Sequence, residues 1–121
     1  MSNHFTVPNN LQSDFLIPKS LVQNEQYKNL NSSAVILYAL LLDEMRARSV
    51  RNDWVDDRDV MYVIYPTQRM LQALNVSSSK LSKLKQQLIA HDLIEIKKGG
   101  IGEYDKIYVK KTEGSADVDE K

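Results

Sequence analysis

Between Ser77 and His91 the chain reads SSSKLSKLKQQLIAH, with hydroxyl, ammonium and amide side chains interleaved among leucines and no carboxylate before Asp92. These polar groups share one chemistry. They hydrogen-bond to phosphate oxygens, and the serines and glutamines can also read base edges. The spacing predicts a helix over residues 77–91, capped by Ser77 or Ser78, with Leu81, Leu84, Leu88 and Ile89 on one face. At about 100° per residue, Ser79, Lys83, Gln86 and Ala90 lie opposite the leucines, flanked by Lys80, Ser82 and Gln87. Two readings of that outer face are open: a merely solvated helix surface, or one that meets nucleic acid.

The flanking segments bear on the choice. Pro66 suits the first turn of a helix, and Met70, Leu71 and Leu74 recur at helical spacing up to Asn75, giving a two-turn helix. Asn75-Val76 then makes a tight connection. A short helix, a turn and a second helix form a helix-turn-helix, whose second helix can enter the roughly 12 Å wide major groove. Downstream, Leu93 to Lys98 and Lys106 to Lys110 alternate around aliphatic residues, with Gly99 to Gly102 between them, and predict a β-hairpin wing. On it, Lys97, Lys98 and Lys106 either touch phosphates or protect an edge strand.

Upstream, the polar residues 1–14 read as an N-terminal arm, and Phe15-Leu16-Ile17 as a short extended segment before Pro18. Ser20 can cap a short helix running to about Gln26. Asn31, Ser32 or Ser33 can cap a longer one from Ala34 to about Val50. The first half of that helix, AVILYALLL, is apolar on every face and requires enclosure by protein, whereas DEMRARSVR emerges into solvent. Residues 52–59 read as a loop and Val60 to Tyr65 as a strand. The expected fold is α+β: a winged helix-turn-helix, with helices packed on a small antiparallel sheet ending in the wing, over residues 15–111. Residues 112–121 read as an acidic tail or a linker to a further C-terminal domain.

The net charge is zero, but it is unevenly distributed. Residues 1–65 carry six basic and eight acidic side chains, residues 66–111 nine and four, and residues 112–121 one and four. The basic excess therefore falls on the helix-turn-helix and wing, the distribution that DNA binding requires. Cysteine is absent, which excludes disulfides, thiolate metal sites and cysteine nucleophiles. No signal pattern opens the chain, and its longest apolar run is nine residues against the roughly 20 that span a bilayer, so a cytoplasmic protein without a membrane partner is expected.

The remaining chemistry-bearing residues read as structural. Asp53, Asp56, Asp57 and Asp59 lack the glycine and closing glutamate of a calcium loop and read as a solvated turn. His4 and His91 have no partner at catalytic spacing, and Gly99, Gly100 and Gly102 lack the lysine-serine step of a nucleotide loop. Trp54, with Tyr62 and Tyr65 nearby, has the chemistry to stack on bases, yet aromatics next to a strand of this apolarity more often complete a core. A binding module rather than an enzyme is expected, with no cofactor and no metal.

In order and wording the segments resemble the N-terminal domain of the replication initiator protein A family of Gram-positive plasmids. The carriers are FLIPKSLVQNEQYKNL (15–30), SSAVILYALLLDEM (32–45), NDWVDDRDVMYVIYP (52–66), QALNVSSSKLSKLKQQL (72–88), HDLIEIKKGGIG (91–102) and DKIYVKK (105–111). The resemblance implies a plasmid replication initiator that binds repeated sites of its own origin in double-stranded DNA as a homodimer. It also implies contact with host replication proteins through a C-terminal domain. It places Ser78, Ser79, Lys80, Ser82, Lys83 and Gln86 at recognition-helix positions and Lys97, Lys98 and Lys106 on the wing. Glu103 and Asp105 depart from the basic wing turn of the family. Two other roles suit the same fold: a transcription regulator, and a protein-interaction module that binds no DNA.

Overall fold

The longest apolar run becomes the central helix. In the computed structural model, which describes residues 15–49 and 54–112, α1 spans Lys19–Gln23, α2 Ser32–Ser49, α3 Thr67–Leu74 and α4 Ser78–Ala90. The strands are β1 (Ile94–Lys97) and β2 (Lys106–Val109), and a 3-10 turn covers Glu25–Tyr27. The expected arm at residues 1–14 and the tail beyond Thr112 lie outside the described residues.

Asn31 starts α2: its side chain accepts from the Ser33 amide at 2.8 Å and its carbonyl from Ala34 at 2.9 Å. Ala34, Leu37, Tyr38, Leu40 and Leu41 are buried, as an all-apolar stretch requires. Ile36 departs from that expectation. It is 46% exposed and lines a shallow apolar groove with Ile17 and Val22. At the core end, the Tyr38 hydroxyl donates to the Lys110 carbonyl at 2.7 Å, tying α2 to the end of β2. Burial pushes the Tyr38 phenol up to about 12, so it remains a donor across the physiological range.

On α4 the Leu81, Leu84 and Leu88 stripe is at most 2% exposed and packs on α2. Met70 of α3, Leu93, Ile94, Ile107 and Val63 complete the core. Burying a leucine side chain fully stabilises by about 1.5–3 kcal/mol, so the stripe fixes which face α4 turns outward. Ile89, expected among the leucines, is 39% exposed instead, because it stands at the margin of the stripe and turns toward the wing. Asn75 ends α3 in the left-handed conformation (φ 56°), with its amide on the Leu71 carbonyl at 2.8 Å. Asparagine tolerates that region better than most residues, which makes the tight turn possible.

The hairpin pairs Ile94 with Val109, Glu95 with Tyr108, Ile96 with Ile107 and Lys97 with Lys106. The strand expected over Val60–Tyr65 shrinks to isolated bridges, and only Val63 joins the hairpin, exchanging both backbone bonds with Ile107 at 2.7 and 2.9 Å. The residues before it are held in a local turn, where Met61 pairs with Val55. Two further expectations are corrected. Ser20 does not cap α1, which starts after Pro18; its hydroxyl instead bonds Thr112 at 2.6 Å. The helix ends at Gln23 rather than Gln26, because the Asn24 side chain caps the next turn through the Gln26 amide. Pro66 likewise sits just before α3 rather than inside its first turn.

In the aspartate-rich loop Asp57 and Asp59 are exposed, as a solvated turn requires, and Asp53 lies outside the described residues, but the Asp56 side chain is only 9% exposed. It accepts from the Arg58 and Val60 amides at 2.8 and 3.0 Å, from the Arg58 guanidinium at 3.0 Å and from the Tyr108 hydroxyl at 2.9 Å. The Val60 amide foremost, with the Arg58 and Tyr108 donors, holds the Asp56 carboxyl far below its ordinary range. A depressed carboxyl pKa adds stability that is present above the unfolded-state value and declines as pH falls below it. Thermal melts should therefore show the wild type losing stability between pH 4 and pH 2, and Asp56→Asn losing distinctly less over the same interval. Parallel losses would mean that the loop draws no stability from the ionised carboxylate.

Candidate nucleic-acid interface

Because the leucine stripe is buried against α2, the polar residues of α4 divide into two sets. Ser79, Lys80, Lys83 and Gln87 border a depression shared with Asn31 at the start of α2. Ser78, Ser82 and Gln86 border a cleft facing α3 and the wing, shared with Thr67, Lys85 and Lys98. Ser78, Ser79, Lys80, Ser82, Lys83 and Gln86 are all exposed. Gln87 is half-buried, with its side-chain carbonyl accepting from the Asn31 amide at 2.8 Å. That bond fastens the start of α2 to the recognition helix and leaves the Gln87 NH2 group as the available donor. Ser77 caps α4 by accepting from the Lys80 amide at 3.2 Å.

The wing lysines separate by strand alternation, since successive side chains point to opposite faces. Lys97 and Lys106 are cross-strand partners on the face that carries Glu95 and Tyr108, away from the core side of Ile96 and Ile107. There the Lys106 ammonium lies 4.9 Å from the Tyr62 ring centre. Lys98, just past β1, turns to the cleft beside α4. Only Lys98 of the three joins the residues of the recognition helix.

The acidic wing residues hold the turn. Asp105 accepts from the Gly99 amide at 3.0 Å and pairs with Lys98 at 3.4 Å. The Gly99 amide, aided by Lys98, keeps its carboxyl below the ordinary range. Glu103 accepts from the Gly100 amide at 3.1 Å, and its own amide returns to the Gly100 carbonyl at 3.0 Å. Both departures from a basic wing turn therefore act as fasteners, and the tip itself presents the fully exposed Ile101 and the 64% exposed Tyr104.

Two candidate residues do not stand out in the sequence. Lys85 lies only about 40° around the helix from Leu81, at the edge of the stripe, where a wheel projection reads it as stem packing. In the fold it is half-buried and faces the cleft. Arg69, on the exposed side of α3, stacks its guanidinium 4.5 Å from the Tyr65 ring centre. Trp54 packs against the core with Arg48 4.6 Å from its ring, and Tyr65 is buried, so neither is free to stack on a base. His91 rests its Nδ1 2.9 Å from the Gln87 carbonyl, at the end of α4. Among the described residues no group of three or more His, Asp or Glu side chains is placed to hold a metal ion. None of the described helices is long and apolar enough to cross a membrane.

The family described as the replication initiator protein A (RepA) N-terminus matches residues 14–120. The chain belongs to this family. A 41 kDa protein of Lactobacillus helveticus is 33% identical over 89 residues, 74% of this chain and 25% of that protein, so the chain spans about a quarter of this relative. Among solved structures, a Rep–DNA complex aligns at TM-score 0.74 with 32% identity, covering 91% of this chain and 85% of that one. The N-terminal domain of a DNA-binding protein aligns at 0.75 with 30% identity, covering 99% and 92%. An MDR initiator aligns at 0.72 with 28% identity, covering 98% and 97%. The winged helix-turn-helix architecture read from the sequence is that of these initiator domains.

The tight wing turn generates a contrast between neighbouring glycines. A Cβ at Gly99 would stand 2.5 Å from the Tyr104 carbonyl oxygen, whereas one at Gly100 meets only the far end of the Glu103 side chain at 3.4 Å. Gly99→Ala should cost about 1–3 kcal/mol in urea denaturation, and Gly100→Ala well under that. Equal costs would show that the turn yields at Gly99 without displacing the wing backbone.

Proposed function

We propose that this domain of a plasmid replication initiator binds double-stranded DNA at repeated origin sites by laying the outer face of α4 in the major groove. The carrying observation is that this helix, locked by its leucines, turns serines, lysines and glutamines outward and carries no carboxylate, in the segment that holds the basic excess. Membership of the RepA N-terminus family and similarity to a solved Rep–DNA complex support the same reading. In it, Ser79, Ser82 and Gln86 read base edges while Ser78, Lys80, Lys83 and the Gln87 amide position the helix on the backbone. Lys98, which lines the cleft beside α4, touches a phosphate from the wing, while Lys97 and Lys106 are on the other face of the hairpin, where any contact with the backbone is a separate one. The domain acts by binding, in the cytoplasm, as a symmetric dimer on half-sites about 10 bp or a multiple apart. Host replication proteins are met through a part of the initiator other than this domain.

One observation favours a second role for the same fold. Ile17, Val22 and Ile36 leave an apolar groove on the side of α1 and α2, which suits self-association more than contact with nucleic acid. That role is compatible with DNA binding and takes a different face.

Electrophoretic shifts at about 150 mM salt separate the readings: preference for origin repeats over scrambled duplex of equal length is expected, and no preference would leave the interaction role alone. Lys83→Ala should weaken binding to both duplexes and flatten the salt slope by about one unit. An unchanged slope would remove Lys83 from the interface. Ser79→Ala or Gln86→Ala should instead lower preference for the repeat more than affinity for random duplex. Equal losses would make them positioning contacts.

A further inference from the structure

Lys85 differs from the other lysines of α4. Lys80 and Lys83 are exposed, but Lys85 is half-buried where α4 passes the first turn of α3 and the base of the wing. It has no hydrogen-bond or ion-pair partner among the described residues. Burial lowers the ammonium pKa, Lys98 adds to the effect and Asp105 opposes it. Asp105 itself is taken up by the Gly99 amide and by Lys98. Asp105 offsets only part of the cost of withdrawing the Lys85 ammonium from water, and an anion arriving at its head relieves the rest.

The surroundings fit a phosphate. The cleft has a volume of about 310 Å³, and Thr67, Ser78, Ser82 and Gln86 line it beside Lys85 and Lys98. Hydroxyls and an amide supply the neutral donors that phosphate oxygens take together with one ammonium. The cleft is also continuous with the outer face of the recognition helix, because Ser82 and Gln86 belong to both. A DNA strand lying along α4 would carry its backbone past this opening.

We propose that the cleft between α4 and the wing seats one backbone phosphate of bound DNA, with Lys85 as its anchor. The inference rests on the DNA-binding reading and adds a contact that fixes how the helix and the wing straddle one strand. The exposed lysines set the general attraction to the duplex, whereas Lys85 holds a particular phosphate and so sets the register of α4 in the groove.

The test uses duplex carrying one origin repeat in which single phosphates are replaced, one at a time, by uncharged methylphosphonates. For the wild type, one replacement within the α4 footprint should cost about tenfold in affinity through Lys85. In Lys85→Met, which keeps the apolar stem, overall binding should fall about tenfold, the salt slope should flatten by about 0.9 unit, and that same replacement should cost nothing further. Lys85→Arg should regain sensitivity to it. If Lys85→Met retains the wild-type slope and remains sensitive at every position, the proposal is overturned while DNA binding stands. If the wild type does not bind duplex at all, both readings fall together. Millimolar inorganic phosphate is the remaining arm: signals of the Lys85 side chain should shift only weakly with it and strongly with duplex. Saturation by free phosphate without a response to duplex would make the seat a small-anion site and overturn the proposal. Thermal melts of both variants confirm folding, and Lys85→Met, relieved of a half-buried charge, should melt no lower than the wild type.

Discussion

The contact of Leu81, Leu84 and Leu88 with α2 is the constraint on which the rest depends. A 13-residue helix that buries one leucine stripe has no freedom to rotate, so the residues on its far side become a fixed, water-facing surface. α2 can serve as the platform because its apolar first half is almost wholly enclosed and its start is fastened to α4 through Asn31 and Gln87. Where the helix faces is thus decided by hydrophobic burial, and what it can hold is decided by the serines, lysines and glutamines left outside.

The wing follows a different logic. Its backbone is set by hydrogen bonds from two carboxylates to glycine amides and by the close approach of Gly99 to the Tyr104 carbonyl. Those bonds hold both carboxylates within the turn, where Lys98 also pairs with Asp105 at 3.4 Å. β2 is supported on its other edge by a single residue, Val63, and Tyr38 anchors the chain just beyond its end. Hydrophobic packing therefore places the recognition helix, and polar fasteners place the wing against it.

Much of this was legible in the sequence where one periodicity ruled a whole element. The helix-turn-helix, the leucine stripe and the hairpin follow from spacing and from residues with strong local preferences, whereas spacing leaves Asn31, Ser32 and Ser33 equal as caps of α2. The misses share a cause, which is long-range competition for local groups. The Val60–Tyr65 run has strand composition, but Asp56 draws its first residue into a turn and only Val63 reaches β2. Ser20 has the chemistry of a cap, yet its hydroxyl is drawn to Thr112, distant in sequence. Ile89 and Lys85 sit at the margin of the stripe, where a wheel cannot say whether core, cleft or solvent receives the side chain. Only the placement of the wing beside α4 settles both. The same placement divides Lys98 from Lys97 and Lys106, which composition alone treats as equivalent.

The outward face of α4 is the surface proposed to meet DNA. The most direct measurement is a two-dimensional amide NMR titration of the domain with duplex containing an origin repeat. The strongly perturbed amides should cluster at Ser78, Ser79, Lys80, Ser82, Lys83 and Gln86 and at the wing near Lys98, while Val22 and Ile36 in the apolar groove stay unmoved. Perturbations concentrated around Val22 and Ile36 with α4 unaffected would contradict that placement.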